Sequence, residues 1–598
     1  MTSASRAAAK ATRTYGVYRP VLPAVCSLNP DRMVYTGDAE GRCEIFAWDR
    51  STGVSRQVTD RPQGTLLCAI DADAAVWWFD ADQHGQGVWR VQDFTGGPHN
   101  SAFPDMPPGR PCGLALTDRG KAAVAVADAS SLTVRLGRRG EPGEVVWRTG
   151  LPAILGDLAP GGDLLAICGP PHSAHAVTLV VPGGAVVATL SGAARRIWGL
   201  GFAPRRRLEP VLLVMCEDDG HYRLGTWRRA TGLELFPWCA LDTETTARWY
   251  PDGERVLLRQ DRHGRSRLFT ADLIRRTVTP VPVAEGTVLD AAPRADGDLH
   301  LIWTDAVTPP RTLCLSGRSL PGQHGWRLPA FGRRQDLWTP SPDGPVHTLV
   351  TTPADREPPH PLVLLVHGGP ADHARDAYDP MVQSLVGSGF AVARVNYRGS
   401  TGYGPHWRSA YSEGVGHTQV ADLVRVRAHL LNEGIGREGA IGLSGTSWGG
   451  YLVLLALGTH PGLWDAGVAV KPLADYATAF RHSTPALRFL DTTLFGGTPE
   501  QVPEHYRHAS PSTYARAIRS PLLLVAARHD AKCPPEQIEA YLAVLREGGI
   551  PHELLWLDSG HDGYDGAEHV AVLERSLRFL GRALRPAPAP APDVSAAH

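Results

Sequence analysis

Ala440-Ile-Gly-Leu-Ser-Gly-Thr-Ser-Trp-Gly-Gly-Tyr451 is the stretch that decides how the C-terminal half of this chain folds. Ala440 to Leu443 is a short apolar run of strand character, and an apolar helix begins near Tyr451. Between them lies Gly445-Thr-Ser-Trp-Gly-Gly450. Glycines flank a serine in this way when a strand turns into a helix too tightly to admit nearby side chains, a turn that lifts the hydroxyl above the sheet edge. A lone Gly-x-Ser-x-Gly carries little weight in a chain with 64 glycines. Its position between strand and helix gives it specificity.

Working outward, Pro361-Leu-Val-Leu-Leu-Val366, Phe390 to Asn396, Ala466 to Val470 and Pro521 to Val525 are continuous apolar runs of strand length. They alternate with helical stretches at Val420 to Leu431, Glu536 to Leu545 and Glu568 to Leu584. Strands apolar on both faces belong to a parallel sheet covered by helices. Residues 336–585 are therefore expected to form a doubly wound, mostly parallel α/β-hydrolase domain. The Pro586-Ala-Pro-Ala-Pro-Ala-Pro592 run reads as an extended, disordered tail over 586–598.

Toward the N-terminus the pattern changes to short apolar runs separated by Gly, Pro and Asp, which is all-β. A unit of turn, β-rich run, polar turn and second run recurs at Asn29 to Tyr35, Asp71 to Trp77, Leu116 to Val124, Ala159 to Ala166, Ala203 to Leu212, Tyr250 to Leu258 and Arg294 to Ile302. A spacing of roughly 42–47 residues is the period of four-stranded propeller blades. Seven copies predict a seven-bladed β-propeller over 20–335, after an N-terminal segment at 1–19. A tandem β-sandwich with chance periodicity is the alternative. Trp48, Trp89 and Trp249 are read as blade-packing groups.

Two large domains also suit a length of 598 residues, because single cores stop growing near about 250–300 residues. Hydrophobic residues at 43% and charged residues at 20% suit packed cores. A net charge of -1 offers no field for nucleic acid or an anionic membrane surface. No apolar run approaches the roughly 20 residues that span a bilayer, and the first residues lack a secretory apolar core. The expectation is a cytoplasmic protein with neither nucleic-acid nor membrane partners. Nine cysteines without a Cys-x-x-Cys pair read as reduced thiols. No metal and no cofactor are expected.

A serine hydroxyl is a poor nucleophile until a base takes its proton, so a carboxylate and a histidine should follow Ser447 in that order. Asp530 comes just after the strand Pro521 to Ala527, and His561 just after the strand His552 to Leu557. Carboxyl ends of parallel strands converge on such a site. His552, His569, Asp475 and Asp558 are the competing side chains. An oxyanion hole needs two donors: the amide of Trp448, and one from His367-Gly-Gly-Pro370, for which Gly369 is preferred to Gly368.

His367-Gly-Gly-Pro370, Asn396-Tyr-Arg-Gly-Ser-Thr-Gly-Tyr-Gly404, the serine turn, Asp530 and Gly560-His561 resemble the prolyl oligopeptidase family of serine peptidases, in its acylaminoacyl-peptidase and dipeptidyl-aminopeptidase-like branch. The resemblance covers about 250 residues of the catalytic domain. It implies a propeller that caps the catalytic face, a confined cavity and short peptide substrates. Trp448 stands where the family commonly has Tyr, and Cys533-Pro534 where Val-Pro is usual. No pair of glutamates of the kind that holds a free N-terminus in dipeptidyl peptidases is evident.

Two of the four lysines, Lys471 and Lys532, fall inside catalytic motifs and are candidates for holding a substrate carboxylate, with chance placement the alternative. Phe480 and Phe489 are candidate walls of an apolar pocket. The activity implied is peptidase action on short peptides or aminoacyl amides, of aminopeptidase or acylaminoacyl-peptidase type. The alternatives are an esterase or amidase for an aminoacylated small molecule such as an aminoacyl-nucleoside antibiotic, and an inactive propeller scaffold. A homo-oligomer is compatible with either catalytic reading.

Overall fold

The computed structural model describes residues 21–584 except 41, 129, 205–208, 322–331 and 562–565. The expected segment 1–19 and tail 586–598 lie outside the described residues.

The N-terminal half forms seven consecutive antiparallel sheets, spanning 24–57, 68–101, 110–149, 154–190, 197–241, 245–281 and 287–314. Among the described residues six have four strands and the last has three. This is the expected seven-bladed propeller. Each repeated sequence unit is the hairpin turn between a blade's first and second strands. One backbone hydrogen bond closes the same turn in every blade: Cys26 N to Arg32 O, Asp71 N to Ala75 O, Thr117 N to Lys121 O, Ala159 N to Leu164 O, Ala203 N to Val211 O, Tyr250 N to Arg255 O and Arg294 N to Asp298 O. The repeat is legible because a tight turn demands Gly, Asp or Pro at fixed offsets while the strands accept any β-branched or aromatic residue.

Apolar side chains fill the spaces between blades. Leu179 and Ala166 meet Leu212, Val214 and Trp227, for instance. Trp89 packs edge-on against Phe79 at 5.6 Å, Trp48 joins Met33 and Leu320, and Trp249 donates from Nε1 to Gly201 O at 3.1 Å across two blades. First and last blades meet through Met33 with Cys314 and through Arg294 Nη2 donating to Pro23 O at 2.9 Å.

The C-terminal half is built on one eight-stranded sheet. Its strands are β1 (Gly332–Thr339), β2 (Val346–Pro353), β3 (His360–Val366), β4 (Ala391–Asn396), β5 (Gly436–Thr446), β6 (Ala466–Val470), β7 (Leu522–Ala527) and β8 (His552–Leu557), in spatial order 1-2-4-3-5-6-7-8. β1 and β2 are antiparallel to their neighbours, and the remaining pairings are parallel. Since β1 belongs wholly to this sheet, the domain boundary expected between 335 and 336 falls inside a strand. The sheet claims the chain from Gly332.

Helices cover both faces, as the two-sided apolar strands require. The helix Trp448–Thr459 has no charged side chain and is buried along nearly its whole length, while Phe579, Leu580 and Leu584 of the helix Gly566–Leu584 seal the opposite face. The nine cysteines are all free. No described helix is long and apolar enough to cross a membrane.

The propeller lies against loops that leave the carboxyl ends of β3, β4, β6 and β7. Thr287 Oγ1 donates to Asp376 O at 2.9 Å, and His263 N donates to Gly402 O at 3.1 Å. His172 stacks on Phe489 at 5.3 Å, and His84 meets His529 edge-on at 5.6 Å. Arg408 reaches from the β4 loop to Glu217, Glu244 and the Tyr222 hydroxyl of the propeller.

Candidate active site

Ser447 sits between β5 and the helix Trp448–Thr459 with φ 58° and ψ −119°. A non-glycine residue held there stores strain of about 1–3 kcal/mol, maintained only when its surroundings fix it. They do. Ser447 N donates to Val470 O at 2.8 Å. A Cβ on Gly449 would lie 2.0 Å from Val366 O, and one on Gly445 2.5 Å from the Gly449 carbonyl carbon. The two glycines let β3, β5 and the helix start converge at this point.

Asp530 follows β7, and its side chain is almost wholly buried. Its Oδ1 accepts backbone hydrogen bonds from Lys532 at 2.9 Å and Cys533 at 2.7 Å. His561 follows β8. Its Nδ1 lies 2.8 Å from Asp530 Oδ2 and its Nε2 lies 3.0 Å from Ser447 Oγ. The structure thus brings Ser447, His561 and Asp530 into one hydrogen-bonded line. The competing residues are engaged elsewhere. Asp475 accepts from Thr478 N at 2.8 Å and Ser512 Oγ at 2.6 Å, capping the helix Tyr476–His482. Asp558 is exposed beside His529, His552 bonds to Ile550 O at 2.8 Å, and His569 lies on the last helix.

On the oxyanion side, Trp448 opens its helix one residue after the serine. The His367-Gly-Gly-Pro370 loop is held by Tyr397, which stacks on His367 at 4.1 Å and donates to His367 O at 2.7 Å. His367 Nε2 also meets Ser400 Oγ at 2.8 Å. Gly368 runs against the nucleophile, where an added Cβ would stand 3.8 Å from Ser447 Cβ, and Gly369 adopts φ 143° as the loop turns away.

Of the substrate candidates, Lys471 is corrected. It is 1% exposed, and its ammonium donates to Gly560 O at 2.6 Å and His561 O at 3.2 Å. A buried ammonium needs such acceptors, so the side chain braces the histidine loop instead of facing a ligand. Lys532 supports Asp530 through its amide while its side chain is exposed. Phe480 packs edge-on against Tyr506 at 5.9 Å, and Phe489 is taken up by the propeller's His172. Sequence reasoning missed the Tyr397 and Ser400 support of the oxyanion loop, although both fall inside the Asn396 to Gly404 motif.

Cys533 is buried beside the triad. Burial pushes its thiol well above the ordinary range, the Asp530 charge adds to this, and a hydrogen bond with Ser447 opposes it. Donor atoms of Asp530, Cys533 and His561 lie within 4.8 Å of one another. The carboxylate and imidazole already spend theirs on each other, which leaves a poor cage for a cation.

Residues 377–587 match the model of the prolyl oligopeptidase family. The chain carries a prolyl oligopeptidase family domain. Among curated proteins it is similar to the acylamino-acid-releasing enzyme of Sus scrofa, 30% identical over 200 residues that cover 33% of this chain and 27% of that protein. The dipeptidyl aminopeptidase BIII of Pseudoxanthomonas mexicana is 29% identical over 208 residues, 34% of this chain and 30% of that protein. The chain spans about a third of the length of these two relatives. The structure of a Mycobacterium tuberculosis puromycin-hydrolyzing peptidase superposes with a TM-score of 0.80 at 20% identity, over 98% of this chain and 97% of that one. That likeness is one of fold: propeller and prolyl oligopeptidase family domain in a single chain.

Proposed function

We propose that this chain is a serine peptidase that hydrolyses short peptides or aminoacyl amides through an acyl-enzyme on Ser447. The observation that carries the reading is the unbroken line from Ser447 Oγ through His561 to Asp530, at 3.0 and 2.8 Å. Ser447 Oγ attacks the scissile carbonyl as His561 Nε2 takes its proton. Asp530 orients the imidazole through Nδ1 and stabilises its charged form. The amides of Trp448 and Gly369 receive the developing oxyanion, each such donor contributing about 10²–10³ in rate. The imidazolium then returns its proton to the leaving amine. Water, deprotonated by the same imidazole, releases the acyl group and regenerates Ser447.

Short substrates follow from the propeller lying over the loops that carry the site. The acylamino-acid-releasing and dipeptidyl aminopeptidase relatives favour release of one or two residues. A second reading keeps the chemistry and moves it to an aminoacylated small molecule, supported by the shared fold of the puromycin-hydrolyzing peptidase. An inactive scaffold would have no need of a strained serine and a complete proton relay.

The test is fluorophosphonate labelling of wild type and Ser447→Ala, followed by hydrolysis of aminoacyl arylamides, acyl-aminoacyl arylamides and p-nitrophenyl esters. Wild type should label and cleave an arylamide, and Ser447→Ala should lose about 10⁴–10⁶ in turnover. Ester turnover without amide turnover removes the peptidase reading, and absence of labelling removes both.

A further inference from the structure

The helix Pro485–Phe495 buries two side chains, Asp491 and Phe495, on one face four residues apart. Phe495 enters a run of rings that leads to the nucleophile. It meets Tyr506 at 4.3 Å and Tyr476 at 5.0 Å, Tyr476 meets Tyr451 at 5.2 Å, and Tyr451 meets Trp448 at 5.0 Å. Asp491 stands among the same groups. Its charge is felt by Tyr476, by Tyr506 and by Cys533, the thiol that also neighbours Ser447 and Asp530. The carboxyl is only 7% exposed. Among the described residues it has neither a hydrogen bond nor an ion pair.

Such a group is anomalous. A buried carboxylate is tolerated when paired with a cation or with hydrogen-bond donors, and this one has neither. Burial alone pushes it up to about 7, so near neutral pH it is poised to ionise for an incoming positive charge. Its aromatic neighbours suit a cation as well, since ring faces attract ammonium and guanidinium groups. Lys471 is committed to the Gly560 and His561 carbonyls.

We infer that Asp491 is a specificity residue that accepts a cationic group of the acyl part of the substrate, at the far end of the ring cluster that reaches Trp448 next to the nucleophile. The inference rests on the serine peptidase reading of this site and adds the substrate's charge to it. The cation has two sources: a basic side chain on the residue whose carbonyl is attacked, or that residue's free α-amino group.

Four p-nitroanilides separate these, those of lysine and norleucine, each with a free and an acetylated α-amine. A buried pairing should favour the substrate that carries the cation by about 10–100-fold in kcat/KM. A high lysine-to-norleucine ratio in both series assigns the side chain, and a high free-to-acetylated ratio with both residues assigns the α-amine. Asp491→Asn should bring the ratio close to one while fluorophosphonate still labels Ser447. Wild-type ratios under about threefold, or a ratio that survives in labelled Asp491→Asn, overturn the inference. Protection of Ser447 from the probe by n-butylammonium relative to n-butanol gives the same decision without peptide hydrolysis. Protection without hydrolysis upholds the cation site and rejects the peptidase reading, and equal protection with hydrolysis does the reverse.

Discussion

The ammonium of Lys471 lies 2.6 Å from the carbonyl oxygen of Gly560 and 3.2 Å from that of His561, so one buried lysine at the end of β6 holds the loop that carries the triad histidine. Lys471 also has φ 46°, a left-handed conformation uncommon for a long side chain, and its amide donates to Val525 O at 2.6 Å on β7. The strut therefore links three strand ends that each deliver part of the site. Lys471→Met should lower kcat by about 10²-fold with KM little changed, because a misplacement near 1 Å at the base costs that much. Lys471→Arg, which keeps the charge and donors, should recover part of the loss. The low-field proton resonance of the His561–Asp530 hydrogen bond should broaden or vanish in Lys471→Met and persist in Lys471→Arg. Equal losses of kcat in both variants with an unchanged resonance would reject the positioning role.

Those distances explain why Lys471 is misread as a ligand-binding group while the triad is legible. Ser447, Asp530 and His561 announce themselves because their chemistry needs fixed residue types at the ends of strands, and strands are visible as apolar runs. The propeller was legible through its turns, which repeat because a closed hairpin allows few residues. Lys471 carried no such signal. Whether a lysine faces a ligand or the backbone behind the site depends on which carbonyls a distant loop leaves unpaired, and Gly560 is 89 residues away. The partner of Phe489 is hidden for the same reason, since His172 belongs to the other domain.

The glycines of the serine turn are constrained by contact as well as by conformation. An added methyl at Gly449 would lie 2.0 Å from Val366 O and 2.8 Å from His367 O, both backbone atoms that cannot move without shifting β3 and the oxyanion loop. Gly449→Ala should abolish fluorophosphonate labelling and reduce soluble yield. Gly387→Ala meets nothing within 4 Å and should leave both unchanged.

Arg398, in the loop after β4, has a fully buried guanidinium. It bonds Asp422 through Nε at 3.0 Å and Nη2 at 2.8 Å, Asp343 at 2.7 Å and Glu413 at 3.1 Å. Asp422 is itself fully buried, so deleting the cation strands a carboxylate in the core. Arg398→Leu should destabilise the catalytic domain by about 3–5 kcal/mol, read as a lower urea midpoint. Because the same loop supplies Ser400 beneath His367, turnover should fall with it.

Stability should fall steeply on mild acidification. Burial holds His300, His347 and His367 down to about 4 and His373 well below its ordinary range. Burial also raises Asp157 to about 6 and Asp491 to about 7. Between pH 4.5 and 6 the unfolded chain protonates the four imidazoles, near an ordinary value of about 6.5, and the folded chain does not. In the same window the folded chain protonates the two carboxyls and the unfolded chain does not. Imidazoles outnumber carboxyls, so the unfolded state holds about two more protons and stability rises with pH, with a slope on the order of 2 kcal/mol per unit. Replacing His347 flattens this. It packs on Trp338 at 4.4 Å and bonds the Tyr403 hydroxyl at 2.6 Å, with Asp336, Arg265 and His263 the charged or titratable groups around it. His347→Phe keeps the ring packing and removes one of the four imidazoles. Its unfolding midpoint, followed from pH 4.5 to 7, should drop less on acidification than that of wild type. A parallel drop in both proteins would mean that His347 takes up its proton while still folded.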